Sequence, residues 1–248
     1  MNIPTDPKDA IEGLVRKLRA RDVMSEEEVQ ALASTVAEVK QVGAGQIIVR
    51  QGVSLSECNL LVEGMVCRYK DMPGGQRQIL ELHLAGDFVD LHSFPLKRLE
   101  HNIRSLTRVS IAIVPHDRLK KVTEEHPHLA RLLWFSTLLD AAIHREWILS
   151  VGRRSALGRV AHLLCELFVR MDVIGAVHDG RYPLPITQMD LADATGLTAV
   201  HVNRMLKKLR DDKLLTFRNG EVSVHDWDGL SRVADFDPAY LYLERRPR

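Results

Sequence analysis

A chain of 248 residues has room for one large domain or two modest ones, each with its own core. Hydrophobic residues at 45% and charged residues at 27% are ordinary for a globular protein, and a formal net charge of +1 names no polyanionic partner, so any pull toward nucleic acid has to come from a local patch. The N-terminal segment has no apolar h-region, and no stretch nears the ~18 uninterrupted apolar residues of a spanning helix, which predicts a cytoplasmic protein without membrane contact. Cys58, Cys67 and Cys165 are an odd, widely spaced set without a C-x-x-C pair and read as reduced thiols.

Residues 8 to 40 carry helical signals: Ser25 followed by Glu28 is a capping box, and Val29, Leu32, Ala33 and Val36 share one helix face. From 42 to 115 the texture changes to short β-rich runs, GQIIVRQG, NLLVEGMVCRY, RQILELHLAGDFV and TRVSIAIVP, separated by Gly or Pro turns. Ile79, Glu81 and His83 alternate with Leu80, Leu82 and Leu84, the pattern of half-buried antiparallel strands. Evenly spaced strands of this kind predict a barrel or jelly-roll-like β-roll.

After Pro127 neither proline nor glycine recurs before Gly152, which allows a helix of about two dozen residues. Leu132, Phe135, Leu139, Ala142, Glu146 and Leu149 recur by threes and fours along it, the seam of a coiled coil, and predict a homodimer through this helix. Gly152 reads as a hinge or helix break. Beyond it, Val160, Leu163, Leu164, Leu167 and Phe168 form an amphipathic helix, RYPLPITQ breaks the pattern, and two short helical segments flank Gly196. In LLTFRNGEVSVHDW two β runs flank Asn219-Gly220, a strong hairpin signal.

Thr187 with Asp190 caps the first of the two short helices, Gly196 permits the turn, and Thr198 caps the second. In that second helix Val202, Met205, Leu206 and Leu209 fall on the core face, while Val200, Arg204 and Lys207 point away with Ala199 and Asn203 beside them. Lys and Arg on such a face are commonly just solvated. Two capped helices about a glycine turn, followed by a hairpin, instead predict a winged helix-turn-helix whose second helix enters the major groove. The candidate DNA-binding residues are Thr187, Gln188, Thr198, Ala199, Val200, Asn203, Arg204, Lys207, Lys208 and Arg218, with Arg153, Arg154, Arg159 and Arg210 as further local cations.

From about residue 20 to 230 the chain resembles the Crp/Fnr family of bacterial transcription regulators. The resemblance lies in GDFVDLHSF ending the β-roll, in the long helix, and most specifically in ITQMDLADATGLTAVHVNRMLKKLRDDKLL before the wing. It implies an α+β fold with a cyclic-nucleotide-binding-like β-roll sensor over residues 1–116, a dimerisation region over 117–151 and a winged helix-turn-helix over 152–248. It also implies a homodimer on a two-fold symmetric promoter site in double-stranded DNA, in contact with RNA polymerase.

The family's reading arginine is matched by Arg204, whereas its preceding Arg-Glu or Val-Glu pair falls on Ala199 and Val200. Asn203 matches a position that touches a base in some members. Cyclic-AMP binders of the family hold the ribose with Gly-Glu and the phosphate with Arg-Ser; here those pairs fall on Asp90-Leu91 and Leu99-Glu100. An acid toward the phosphate and a leucine for the arginine predict that this possible effector pocket does not take cyclic AMP. The iron-sulfur branch uses a run of N-terminal cysteines, and none precedes Cys58. His83, His92 and His101 in or beside the roll, and the pair Cys58 and Cys67, leave a haem, metal or redox-sensing variant as an alternative. No cofactor or resident metal is expected, and the effector is unidentified.

A β-roll is also the body of cupin metalloenzymes, the competing class. Their His-x-His lies on strands with a carboxylate following; the only His-x-His here, His126-Pro127-His128, starts a helix. With no G-x-S-x-G and no Gly-rich phosphate loop either, the sequence predicts a regulator and not an enzyme.

Overall fold

Two helices open the described chain, which in this computed structural model runs from residue 6 to residue 247; the outermost residues of the first and last predicted segments, 1–5 and 248, lie outside it. Helix α1 (Pro7–Arg19) buries Ala10, Ile11, Leu14, Val15 and Leu18. Helix α2 (Glu26–Ser34) starts on the capping box of Ser25 and Glu28 and turns Val29, Leu32 and Ala33 inward. The helical signal ends earlier than the sequence suggests, because residues 38–42 form strand β1 (Glu38–Val42). Val39 and Val42 are three apart, a spacing a helix would also accept; what makes the segment a strand is its pairing with a later strand along all five residues, Glu38 opposite Ile113 through Val42 opposite Val109.

Six more strands complete the β-roll: β2 (Ile47–Val49), β3 (Glu57–Glu63), β4 (Val66–Asp71), β5 (Arg77–His83), then, after the short helix α3 (Ser93–Leu96), β6 (Asn102–Ser105) and β7 (Val109–Pro115). They make two sheets, in the orders β1-β7-β3 and β2-β6-β4-β5. Strand β7 is antiparallel to both of its neighbours, with Ile111 opposite Lys40 and Leu61. Successive residues of β3 and β7 serve different cores, as the pleat requires. Leu61, Ile111 and Ile113 join Val66, Leu99 and Ile103 inside the roll. Leu60, Ala112 and Val114 instead meet α1, α2 and the helices that follow.

After the roll come α4 (His116–Glu125) and the long helix α5 (Pro127–Arg153). Gly152 is not a break: α5 runs through it, and the interruption falls at Ser155, whose Oγ accepts from Gly158 N at 3.1 Å to start α6 (Ala156–Val173). A side-chain cap stops and restarts a helix, whereas one exposed glycine only weakens it.

The remainder is β8 (Arg181–Pro183), α7 (Gln188–Thr195), α8 (Ala199–Asp211), β9 (Leu215–Arg218), β10 (Glu221–Val224), α9 (Trp227–Ala234) and a 3-10 helix (Pro238–Leu241). The hairpin forms as predicted, with Asn219 and Gly220 both at positive φ, 53° and 74°, as a two-residue primed turn requires. RYPLPITQ hides a third strand, for β8 pairs with β10. The chain folds as two compact units: one reaches to Lys70 and adds Glu81–Ala141 and the tail from Leu243, the other holds Asp71–Leu80 and Ala142–Tyr242. Among the described residues no helix is long and apolar enough to cross a membrane.

Candidate nucleic-acid interface

Thr187 starts α7 with a reciprocal box: its Oγ1 accepts from Asp190 N at 3.1 Å, and Asp190 Oδ2 accepts from Thr187 N at 2.9 Å. Gly196 ends α7 at φ 64°, a left-handed cap that costs other residues strain. Two residues later Thr198 Oγ1 accepts from His201 N at 3.3 Å and opens α8. Val202, Leu206 and Leu209 are buried, so the orientation of α8 follows from its apolar stripe.

That orientation leaves Val200, Asn203, Arg204, Lys207 and Lys208 exposed, Val200 at 70%, with Ala199 half-buried and Thr187, Gln188 and Thr198 exposed beside them. Asn203 Nδ2 donates to Gln188 Oε1 at 3.2 Å. Among the described residues no acid pairs with Arg204: Asp211 and Asp212 lie near Arg210 and Lys208 instead, at 3.9 and 3.6 Å. Those two pairs are exposed, hold their cations loosely and leave them available. Arg218 is exposed at the end of β9, next to the turn. Not every local cation faces outward. Arg154 binds Glu146 at 2.6 Å, and Arg159 Nε donates to the carbonyl of Arg154 at 3.0 Å, so both serve the fold.

The residues predicted to line an effector pocket have different surroundings. Leu91 and Leu99 pack in different hydrophobic clusters, Glu100 is exposed with its carboxylate 3.0 Å from His101 Nδ1, and Asp90 is buried, accepting from Asn59 N and Nδ2, both at 2.6 Å. Strand β5 is more than half-buried: Glu81 and His83 on one side of its alternation are fully buried. Arg68 on β4 explains the first. Its Nη1 donates to Glu81 at 2.6 Å, Nη2 to Asp140 on α5 at 2.9 Å and Nε to the Val89 carbonyl at 2.8 Å. Burial, then the nearby Glu81 charge, pushes the Asp140 carboxyl up to about 7 although Arg68 pulls it down; burial likewise pushes Asp90 to about 7 against its bonds from Asn59.

Of the alternative sensor residues, His83 and His101 are buried and His92 is half-buried. Cys58, Cys67 and Cys165 form no disulfide and are buried, and burial raises the Cys58 thiol to about 12, far from a reactive thiolate. Burial pushes His92 down to about 3. His128 of the His-x-His contacts Glu28 at 2.5 Å and Asp22 at 3.3 Å. Among the described residues no three or more His, Cys, Asp or Glu side chains are placed to hold a metal ion.

Helix α5 corrects the predicted seam. Leu132 is fully buried in its own chain's core and Ala142 is 4% exposed, so neither is offered to a partner; Phe135 and Leu139 are half-buried, and Leu149 is exposed. The most exposed apolar residues of the helix are Trp134, Leu138 and Ile148, at 66%, 51% and 73%. With Ala141, Arg145 and Gly152 they form a second frame of alternating fours and threes. The sequence could not choose between frames because α5 is apolar around most of its circumference.

The chain is similar to proteins of one kind along most of its length. Residues 39–126 match the cyclic nucleotide-binding domain and residues 158–233 the Crp-like helix-turn-helix domain. A probable transcriptional activator of Rhizobium leguminosarum bv. viciae is 30% identical over 195 residues, 78% of this chain and 80% of that protein. The chain belongs to the Crp/Fnr family of transcription regulators. The nitrogen fixation regulation protein FixK of Bradyrhizobium diazoefficiens is 30% identical over 71% of this regulator and 73% of its own length. The solved structure of FixK2 from Bradyrhizobium japonicum superposes with a TM-score of 0.73 at 26% identity, covering 80% of this chain and 97% of that one. With the family, the metalloenzyme alternative falls away.

Proposed function

We propose that this Crp/Fnr regulator acts in the cytoplasm as a homodimer on a two-fold symmetric promoter site, and that no cyclic nucleotide controls it. Residues 1–116 form the sensor segment, 117–151 the dimerisation segment and 152–248 the DNA-binding segment. The observation that carries the reading is the exposed face of α8, where Arg204 and Lys207 stand outside a capped, glycine-turned helix pair and Arg204 has no acid partner among the described residues. Arg204 reads guanine through its O6 and N7, Lys207, Lys208 and Arg218 meet phosphate, Val200 and Ala199 offer methyl contacts, and Thr187, Gln188 and Thr198, exposed at the starts of the two helices, complete the DNA-binding face. The dimer forms along α5 through Trp134, Leu138 and Ile148, flanked by Phe135, Leu139 and Leu149.

The interior of the roll does not fit a cyclic nucleotide. Arg68, its buried arginine, is committed to Glu81, Asp140 and a carbonyl, and Asp90 adds a further acid, so a phosphate entering there would meet carboxylates. Contact with RNA polymerase is supported by the relatives named as transcriptional activators. Selection from a random pool of double-stranded DNA with the purified protein tests the core of the reading. A palindrome with guanine at one symmetric position is expected; an unenriched pool overturns it.

A further inference from the structure

Resting on the DNA-binding reading above, we infer that Gln188 is a positioning residue that holds the Asn203 amide ready to read an adenine, so that each half-site carries one A·T pair besides the guanine read by Arg204. The two side chains come from different helices. Gln188 is the first residue of α7, its backbone fixed by the reciprocal box of Thr187 and Asp190; Asn203 lies in the second turn of α8. Their hydrogen bond of 3.2 Å bridges the helices on the face that remains exposed when the apolar stripe of α8 is buried.

A lone surface asparagine samples several rotamers and loses that freedom when it binds. A partner already on the protein reduces the loss. The amide of Asn203 has two N–H donors and an oxygen with two lone pairs. One N–H is used by Gln188, leaving one donor and the oxygen, which complement N7 and the N6 amine of adenine. Exchanging O and N in both amides leaves the same pair of groups free. Guanine presents two acceptors at that edge, so the asparagine oxygen would face O6 without a proton between them. Cytosine is read by a carboxylate, and α8 carries none before Asp211.

The test is binding of the full-length protein to its selected operator and to a panel of symmetric single-base variants. Replacing the adenine by guanine should weaken wild-type binding roughly 10- to 100-fold per half-site. Asn203→Ala should flatten the preference at that position and leave the guanine of Arg204 still required. Gln188→Met, which keeps the length and removes the amide, should reduce the adenine preference. Gln188→Glu, which keeps an acceptor, should restore it while weakening every sequence through repulsion of phosphate. Both positions are exposed, so unchanged thermal melts will confirm that the variants are folded. A palindrome with no adenine position sensitive to Asn203→Ala overturns the inference while the DNA-binding reading stands. An undiminished preference in Gln188→Met overturns the positioning role. A wild type that selects no sequence defeats both.

Discussion

Arg68 donates from Nη2 to Asp140 at 2.9 Å, tying strand β4 to helix α5 inside the N-terminal unit. The same guanidinium holds Glu81, so one buried cation serves two carboxylates. Removing the shared partner takes a charged hydrogen bond from both acids, while removing one acid leaves the other pair in place. Arg68→Met should therefore destabilise the protein by about 3–5 kcal/mol, against about 1 kcal/mol for Asp140→Asn. Urea denaturation checks the order; equal losses would mean that Arg68 is not the hub of this cluster.

Asp140 and Asp90 also set a pH dependence. Each carboxyl titrates near 7 in the folded chain and near 4 unfolded, so between these values the folded state holds the extra protons. Stability contributed this way is complete below about pH 4 and is lost as pH rises to about 7. The groups around Asp140 are Arg68, Glu81 and Asp87. Denaturation midpoints for wild type should fall between pH 5 and pH 8, and Asp140→Asn should fall less. A variant as pH-sensitive as wild type would remove Asp140 from the account.

Two frames compete on α5, and substitution separates them. Leu138→Glu combined with Ile148→Glu should give a folded monomer by sedimentation, because both side chains are exposed in the single chain. Leu132→Ala should instead cost about 2–5 kcal/mol of stability and leave the dimer intact, as expected of a buried leucine. A dimer that survives the double glutamate places the interface elsewhere.

On α8 the two kinds of cation predict different behaviour. Arg204→Ala should cost about 1–3 kcal/mol per half-site and relax the choice of guanine at one symmetric position. Lys208→Ala should weaken all sequences alike and make the salt dependence shallower. If Arg204→Ala weakens every operator variant by one factor, Arg204 touches phosphate and reads no base.

Cyclic AMP and cyclic GMP should give no saturable heat in calorimetry and no change in operator affinity, because Arg68 is already occupied by carboxylates. Micromolar binding of either would require the cluster to open.

Local chemistry made much of this regulator legible in the sequence. The boxes at Ser25 and Thr187, the left-handed Gly196, the Asn219-Gly220 turn and the stripe of Val202, Leu206 and Leu209 are decided within a few neighbouring residues, so they declare helix ends, turns and the outward face of α8 before any packing is known. What only the tertiary structure decided depends on partners distant in the chain. Strand β1 exists because β7, far later in the chain, pairs with it. Glu81 lies in an interior where Arg68 pairs with it, and a period-two pattern cannot distinguish such a face from a solvated one. The two heptad frames of α5 are separated only by which of them the chain's own core covers. Periodicity reports that a face is apolar; which neighbour covers it is set by the energy of packing the whole unit.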